Sequence, residues 1–423
     1  MNIPINNLNT TINSRSTKGS LIKNNLGNNL GNKLSNVLGY DWFLVFLIFL
    51  VCIFGFTFLA SSLSPKPDSY FSDLSKQILV GGIVGGIGAF WIARFDYHRI
   101  LKFRWIFLWI NYFFLGFLAI FGVLNSVFRI DWAVITSFTK VLPFQPKLVN
   151  GAVRWIITPF GLPDFQPSEI AKIVLLIFIA GEIGRLKKNN KDDIITDWQS
   201  LKNMFGLVFG ACALILFQPD LGTVIMIAVI LASGLWVANI SKKIMMGVAV
   251  FALVVAGFAV LTQSYRIDRI RSATDSTQVS DQVRNNKEAV AQGGLLGKGY
   301  GNSYGKNDYS TYQIYEPNTD SIIAIVAEET GFVGVLVLLI IYFLIFIRIV
   351  GIASQAPDIE GKILAIGIVT WIIFQVFMNM TGMTGLIPMK GIPLPFISKG
   401  GTSLLILLLA IGVVLNISSQ RVK

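Results

Sequence analysis

The sequence is poor in charge, in histidine and in cysteine, and each shortage excludes something. Only 14% of its 423 residues are Asp, Glu, Lys or Arg, against 53% hydrophobic, whereas a soluble domain carries roughly a quarter charged residues. An ordinary water-soluble globule is excluded, and the charges that exist must cluster. One histidine, His98, and two cysteines, Cys52 and Cys212, leave no set of soft ligands for a zinc or iron–sulfur site. Both cysteines lie inside apolar runs, where a thiol serves as a small hydrophobe and no disulfide framework is expected. Acidic residues are missing altogether from positions 1–38, a stretch rich in Asn, Ser and Gly. That composition reads as a disordered tail, and no short apolar signal segment precedes the first long run.

What is present is a series of apolar runs free of charge: Trp42–Pro65, Gln77–Ala93, Trp105–Phe128, Leu221–Ile240 and Ile244–Tyr265. A helix needs roughly 20 apolar residues to cross the hydrocarbon core, because lipid offers no partner to an unpaired backbone amide. Further spans are expected at 168–184, 204–217, 319–347, 363–383 and 401–420, which makes an all-α integral membrane protein of about ten transmembrane helices. The net charge of +12 does not point to nucleic acid, since the basic residues flank the runs on one side. The loops 94–104, 185–203, 241–243 and 348–362 and the terminal Arg421–Lys423 are basic, so by the positive-inside rule they and both termini face the cytoplasm. Residues 1–38 are then a cytoplasmic tail and 39–423 the transmembrane domain, with a large outer loop at 266–318.

That loop carries Arg269, Arg271, Asp275 and Lys298 among other charges, against the usual bias of outer segments. An anionic substrate accounts for them. It also holds the glycine-dense stretch Gly293–Gly301, whose amides beside Lys298 suit phosphate oxygens; the plainer reading is a flexible loop. Glu169 and Lys172 stand three apart on one helix face, as an ion pair or a substrate contact. Glu328 and Glu329 point about 100° apart, so only one is expected to face the interior. Asp220 precedes an apolar run as a helix cap or a catalytic acid. Arg154 sits beside Trp155 in an outer loop, and Gly382–Ser403 breaks an apolar stretch with Gly and Pro, as a cavity wall or a loop.

Six of these segments together resemble the SEDS family (shape, elongation, division and sporulation) of multi-pass membrane glycosyltransferases. They are Asn150–Ile156, Gln166–Lys172, Gln218–Thr223, Gly293–Gly301, Glu316–Asp320 with Glu328–Gly334, and Gly385–Ser403. The resemblance implies a peptidoglycan polymerase that joins lipid II units by β-1,4 linkage outside the membrane. It places the general base at Asp275, with Asp268 and Asp281 as alternatives because Ser276 replaces the usual proline. The substrate contacts it implies are Arg154, Lys172, Arg269, Arg271, Lys298, Glu328 and Lys399, although Lys399 stands where the family more often has an aromatic. It further implies a divalent cation (Mg or Mn) of unknown ligands, a class B penicillin-binding protein partner, and divisome membrane proteins. The polar N-terminal extension is closer to the division members of the family than to the elongation members. A lipid flippase or an inactive scaffold would use the same intramembrane charges differently.

Overall fold

The computed structural model describes residues 39–421 apart from 66, 141, 143, 150, 160–162, 190–197, 242–243, 248–280, 307–311 and 387–390. The expected tail, the body of the run Ile244–Tyr265, and Asp268, Arg269, Arg271 and Asp275 lie outside the described residues. The other nine expected spans fall on helices. In chain order these elements are α1 (Trp42–Leu63), α2 (Pro67–Lys76), a π segment (Gln77–Val84), α3 (Gly85–Arg94), α4 (Tyr97–Lys102), α5 (Arg104–Ser126) and α6 (Trp132–Thr139). A hairpin follows, β1 (Gln145–Val149) and β2 (Ala152–Ile157). Then come α7 (Pro167–Asn189), α8 (Trp198–Leu216), α9 (Leu221–Val237), α10 (Asp281–Gly293), α11 (Ile322–Ser354), α12 (Ile359–Thr384) and α13 (Gly401–Ser419). Six of these helices, α2–α3 being one continuous rod, are long and apolar enough to cross a membrane, and α8 and α9 are shorter apolar helices.

The charges in α7 are explained by its position. Val174–Ala180 are buried, so this helix is shielded by its neighbours and its polar residues meet protein rather than lipid. Close approach elsewhere rests on small residues. A methyl group added at Gly81, Gly85 or Gly88 would press on Leu404, Leu408 or Leu409, and one at Gly412 on the Ala89 backbone. The seam between α3 and α13 is therefore a small-residue contact, the usual way for helices to pack where no hydrophobic drive separates protein from lipid.

Two ends of the bundle differ in chemistry. At one, the start of α1 and the ends of α11 and α13 meet: Asp41 accepts from Arg348 (2.6 Å) and Arg421 (2.7 Å) while capping α1. There too His98 bridges Asp96 and Asp358, its two ring nitrogens each 2.7 Å from a carboxylate oxygen. Both nitrogens can donate only in the imidazolium. Burial opposes charging the ring, but the two carboxylates outweigh it and hold its pKa above the usual value of 6.5. With the folded pKa raised, this stabilisation is complete below the unfolded pKa and is lost as pH rises through the folded one. Thermal unfolding of the purified protein is expected at a lower temperature at about pH 9 than at about pH 6, and His98→Gln should shrink the difference. An unaltered pH dependence in the variant would contradict the bridge.

Candidate functional site

The opposite end, which carries the β-hairpin, gathers the polar motifs. β1 and β2 pair antiparallel with Lys147 opposite Trp155, so Arg154 is held on a strand rather than in a loop. Its Nε donates to the Gln218 carbonyl at 3.1 Å and its terminal nitrogen to the Pro219 carbonyl, which ties the hairpin to the α8–α9 turn. Asp220 caps α9, accepting from the Thr223 amide at 3.2 Å, and its other oxygen accepts from Ser168 Oγ at 3.1 Å on α7. The structure uses Asp220 for capping and for an inter-helix bond.

Glu169 and Lys172 pair at 2.7 Å as their spacing requires. The Lys172 side chain is only 3% exposed; its ammonium also donates to Gln375 Oε1 (3.3 Å) and lies over the Trp371 ring. Gln375 donates in turn to the Pro393 carbonyl at 2.8 Å, and Ser403 to the other oxygen of Glu169 at 3.0 Å. The broken stretch before α13 is thus buried in protein: Ile392, Leu394, Phe396 and Ile397 are in the core, and helix side chains meet its carbonyls. Lys399 pairs with Asp73 of α2 at 2.6 Å.

The expectation that only one of Glu328 and Glu329 faces the interior is corrected, since both side chains are wholly buried. The reason is a second layer of chain. α11 breaks at Gly331, whose φ of 68° and ψ of −166° are not helical, and the glycine stretch inserts into the break. In an unbroken helix the amides of Phe332 and Val333 would donate to the carbonyls of Glu328 and Glu329. Instead Phe332 and Val333 donate to Gly294 and Leu295 (2.9 and 3.2 Å), while Lys298 and Gly299 donate to Glu328 and Glu329 (3.0 and 2.9 Å). All four groups opened by the break are satisfied, as burial demands. A side chain at Gly297 or Gly293 would strike the Glu329 or Ala327 carbonyl, so glycine is required by close approach. The reading of this stretch as a plain flexible loop is corrected: it is bonded into α11, with the Lys298 and Gly299 amides committed there.

The inserted turn surrounds the glutamates. Glu328 accepts from Ser303 Oγ (2.6 Å), the Tyr304 amide (2.8 Å), Tyr312 OH (2.6 Å) and Lys298 Nζ (3.2 Å). Burial, and after it the carboxylate alongside, push the pKa of the Tyr312 hydroxyl up. Lys298 remains 21% exposed. Glu329 accepts from Lys306 Nζ (3.2 Å) and from Ser61 of α1. Of the expected site residues, Lys298 and Glu328 meet directly, Lys172 and Arg154 belong to neighbouring networks, and Lys399 stands apart on Asp73. Sequence reasoning missed Lys306, Ser61, Ser303, Tyr312 and Asp73. Lys306 follows Asn302-Ser303-Tyr304-Gly305 in irregular chain, where no periodicity marks a buried lysine. Among the described residues no group of three or more His, Cys, Asp or Glu could hold a metal ion.

The chain is 31% identical over 388 residues to a probable peptidoglycan glycosyltransferase FtsW of Trichlorobacter lovleyi, covering 90% of this chain and 93% of that one. It is 33% identical over 393 residues to the stage V sporulation protein E of Bacillus subtilis, covering 89% and 96%. In fold it resembles a chain of a peptidoglycan synthase complex described as coordinating polymerization and crosslinking (TM-score 0.67, 24% identity, 91% of this chain and 99% of that one). The rod shape determining protein RodA of Thermus thermophilus is also similar (TM-score 0.61, 24% identity, 91% and 98%). A family-wide match to the FtsW/RodA/SpoVE cell cycle proteins extends over residues 41–423, and the chain belongs to that family.

Proposed function

We infer that this chain, a cell-wall glycosyltransferase of the polytopic membrane type, polymerises lipid II on the outer face of the cytoplasmic membrane, in cell division. The observation that carries the reading is the set of buried lysine–glutamate pairs at the hairpin end of an apolar bundle, within a chain alignable over nearly its whole length with probable peptidoglycan glycosyltransferases. The hairpin end faces outward in this reading. The other end carries Arg94, Arg99, Lys102, Arg104, Arg185, Lys187, Lys188 and Arg421, the basic excess of a cytoplasmic surface.

The transfer has three needs. Asp275 takes the proton from the acceptor sugar hydroxyl as its oxygen attacks the anomeric carbon of the donor, with inversion. The bond to the polyprenyl pyrophosphate breaks, and Arg269, Arg271 and the partly open Lys298 steady the departing anion. Arg154, Lys172 and Glu328 hold the elements around that place. The family resemblance also implies a divalent cation, which would help to steady the departing pyrophosphate; no group of three or more His, Cys, Asp or Glu among the described residues forms its ligand set. A class B penicillin-binding protein and divisome membrane proteins are the partners this reading implies.

The test is polymerisation. The purified full chain, with and without its transpeptidase partner, is expected to convert lipid II into glycan strands in detergent or proteoliposomes. Movement of labelled lipid II across vesicles with no polymer formed would sink the polymerase reading and favour a flippase.

A further inference from the structure

We propose that Lys306 is a positioning residue of the transferase site, clamping the inserted turn into the break of α11; this rests on the polymerase reading. The side chain of Lys306 is 4% exposed, and a buried lysine persists only when its ammonium is fully paired. Here each of its three protons has a partner: Ser61 Oγ at 3.0 Å, the Gly301 carbonyl at 2.8 Å and Glu329 Oε1 at 3.2 Å. Those acceptors lie on α1, on the inserted turn and on α11. One ammonium thus joins three segments whose positions in the sequence are far apart.

The place of the clamp gives it a functional reach. Between Gly293 and Gly301 the turn makes the four backbone bonds that replace the broken ladder of α11. Lys298 lies within it, its ammonium directed to Glu328 and over the Tyr304 ring. On its N-terminal side the turn continues from α10, which Asn285 and Asn286 fasten to the Gln313 carbonyl and to Ser321. Tyr300 adds a second attachment, donating to the Thr57 carbonyl at 3.0 Å. Without the ammonium, Ser61 and Glu329, which are bonded to each other, lose the cation they share and the Gly301 carbonyl loses its donor. The turn then has less to hold it in the break, and Lys298 and α10 shift with it. Displacement of about 1 Å at a transfer site costs about a hundredfold in rate.

The test uses the full chain with lipid II. Lys306→Met is expected to lower kcat about a hundredfold while KM for lipid II stays within about threefold, because the clamp meets no substrate. Hydrogen exchange should quicken at the amides of Lys298, Gly299, Phe332 and Val333 and stay unchanged in α12 and α13. Glu329→Gln supplies a second variant should Lys306→Met fail to fold, since the amide keeps the shape and one acceptor oxygen. Wild-type rates alongside quickened exchange in the turn overturn the positioning role. Protection lost evenly through α12 and α13 also overturns it, by making Lys306 a general support of the fold. A wild-type chain that makes no polymer overturns the polymerase reading itself, and is told apart from failure of the clamp because no variant is involved.

Discussion

Asp275→Ala is expected to fold and insert as the wild type does and to lose glycan polymerisation by about two to four orders of magnitude, the usual contribution of a general base. The comparators make the result specific. Asp281 opens α10 and pairs with Arg284 at 2.9 Å on an exposed surface, both side chains being about two-thirds open. An exposed pair of this kind is worth roughly 0–1 kcal/mol, and Asp281→Ala should polymerise within a few-fold of wild type. Asp268→Ala separates the two remaining loop carboxylates. Full polymer yield from purified Asp275→Ala, with Asp268→Ala inactive, would move the base to position 268. Normal yield from all three variants would remove the base from this loop.

The second large effect is expected at Glu328. Its carboxylate collects Ser303, Tyr304, Tyr312 and Lys298 at a fully buried position. Glu328→Ala strands that whole set of donors, and removing one member of a buried ion pair costs about 3–5 kcal/mol. The variant should lose the inserted turn, with a lower unfolding temperature and no polymerisation. Glu328→Gln is expected to be milder, at about 1–3 kcal/mol, because its carbonyl can still accept from Tyr312 and the Tyr304 amide. The Ser303 hydroxyl can rotate to accept from the new amide. Equal stability of wild type and Glu328→Ala in thermal unfolding would refute the account of this carboxylate as the centre of the turn.

These expectations separate two kinds of charge at the hairpin end. Lys172 and Glu169 tie α7 to Gln375 of α12 and Ser403 of α13, and Arg154 ties the hairpin to the α8–α9 turn. Lys298 and Lys306 with the two glutamates hold an irregular segment to a helix. The second group is the more sensitive to single changes, since irregular chain has no ladder of its own to fall back on. The glycines there serve close approach, and a side chain at Gly331 would meet Leu295 and the Gly297 amide.

What the sequence determined by itself is what depends on neighbours along the chain. Hydropathy set the spans, because each must bury its backbone bonds within itself to cross lipid. Helical period set the Glu169–Lys172 pair, whose members are one turn apart, and capping preference placed Asp220 at the start of α9. The segments that carry the family resemblance were legible for the same reason, each being short and contiguous. Tertiary structure alone decided which charges meet across distant segments. Lys399 found Asp73, Lys306 found Ser61 and Glu329, and both glutamates became buried because a glycine turn filled the break in α11. Those pairings join residues dozens to hundreds of positions apart, and no local periodicity encodes a partner that only the path of the chain brings near.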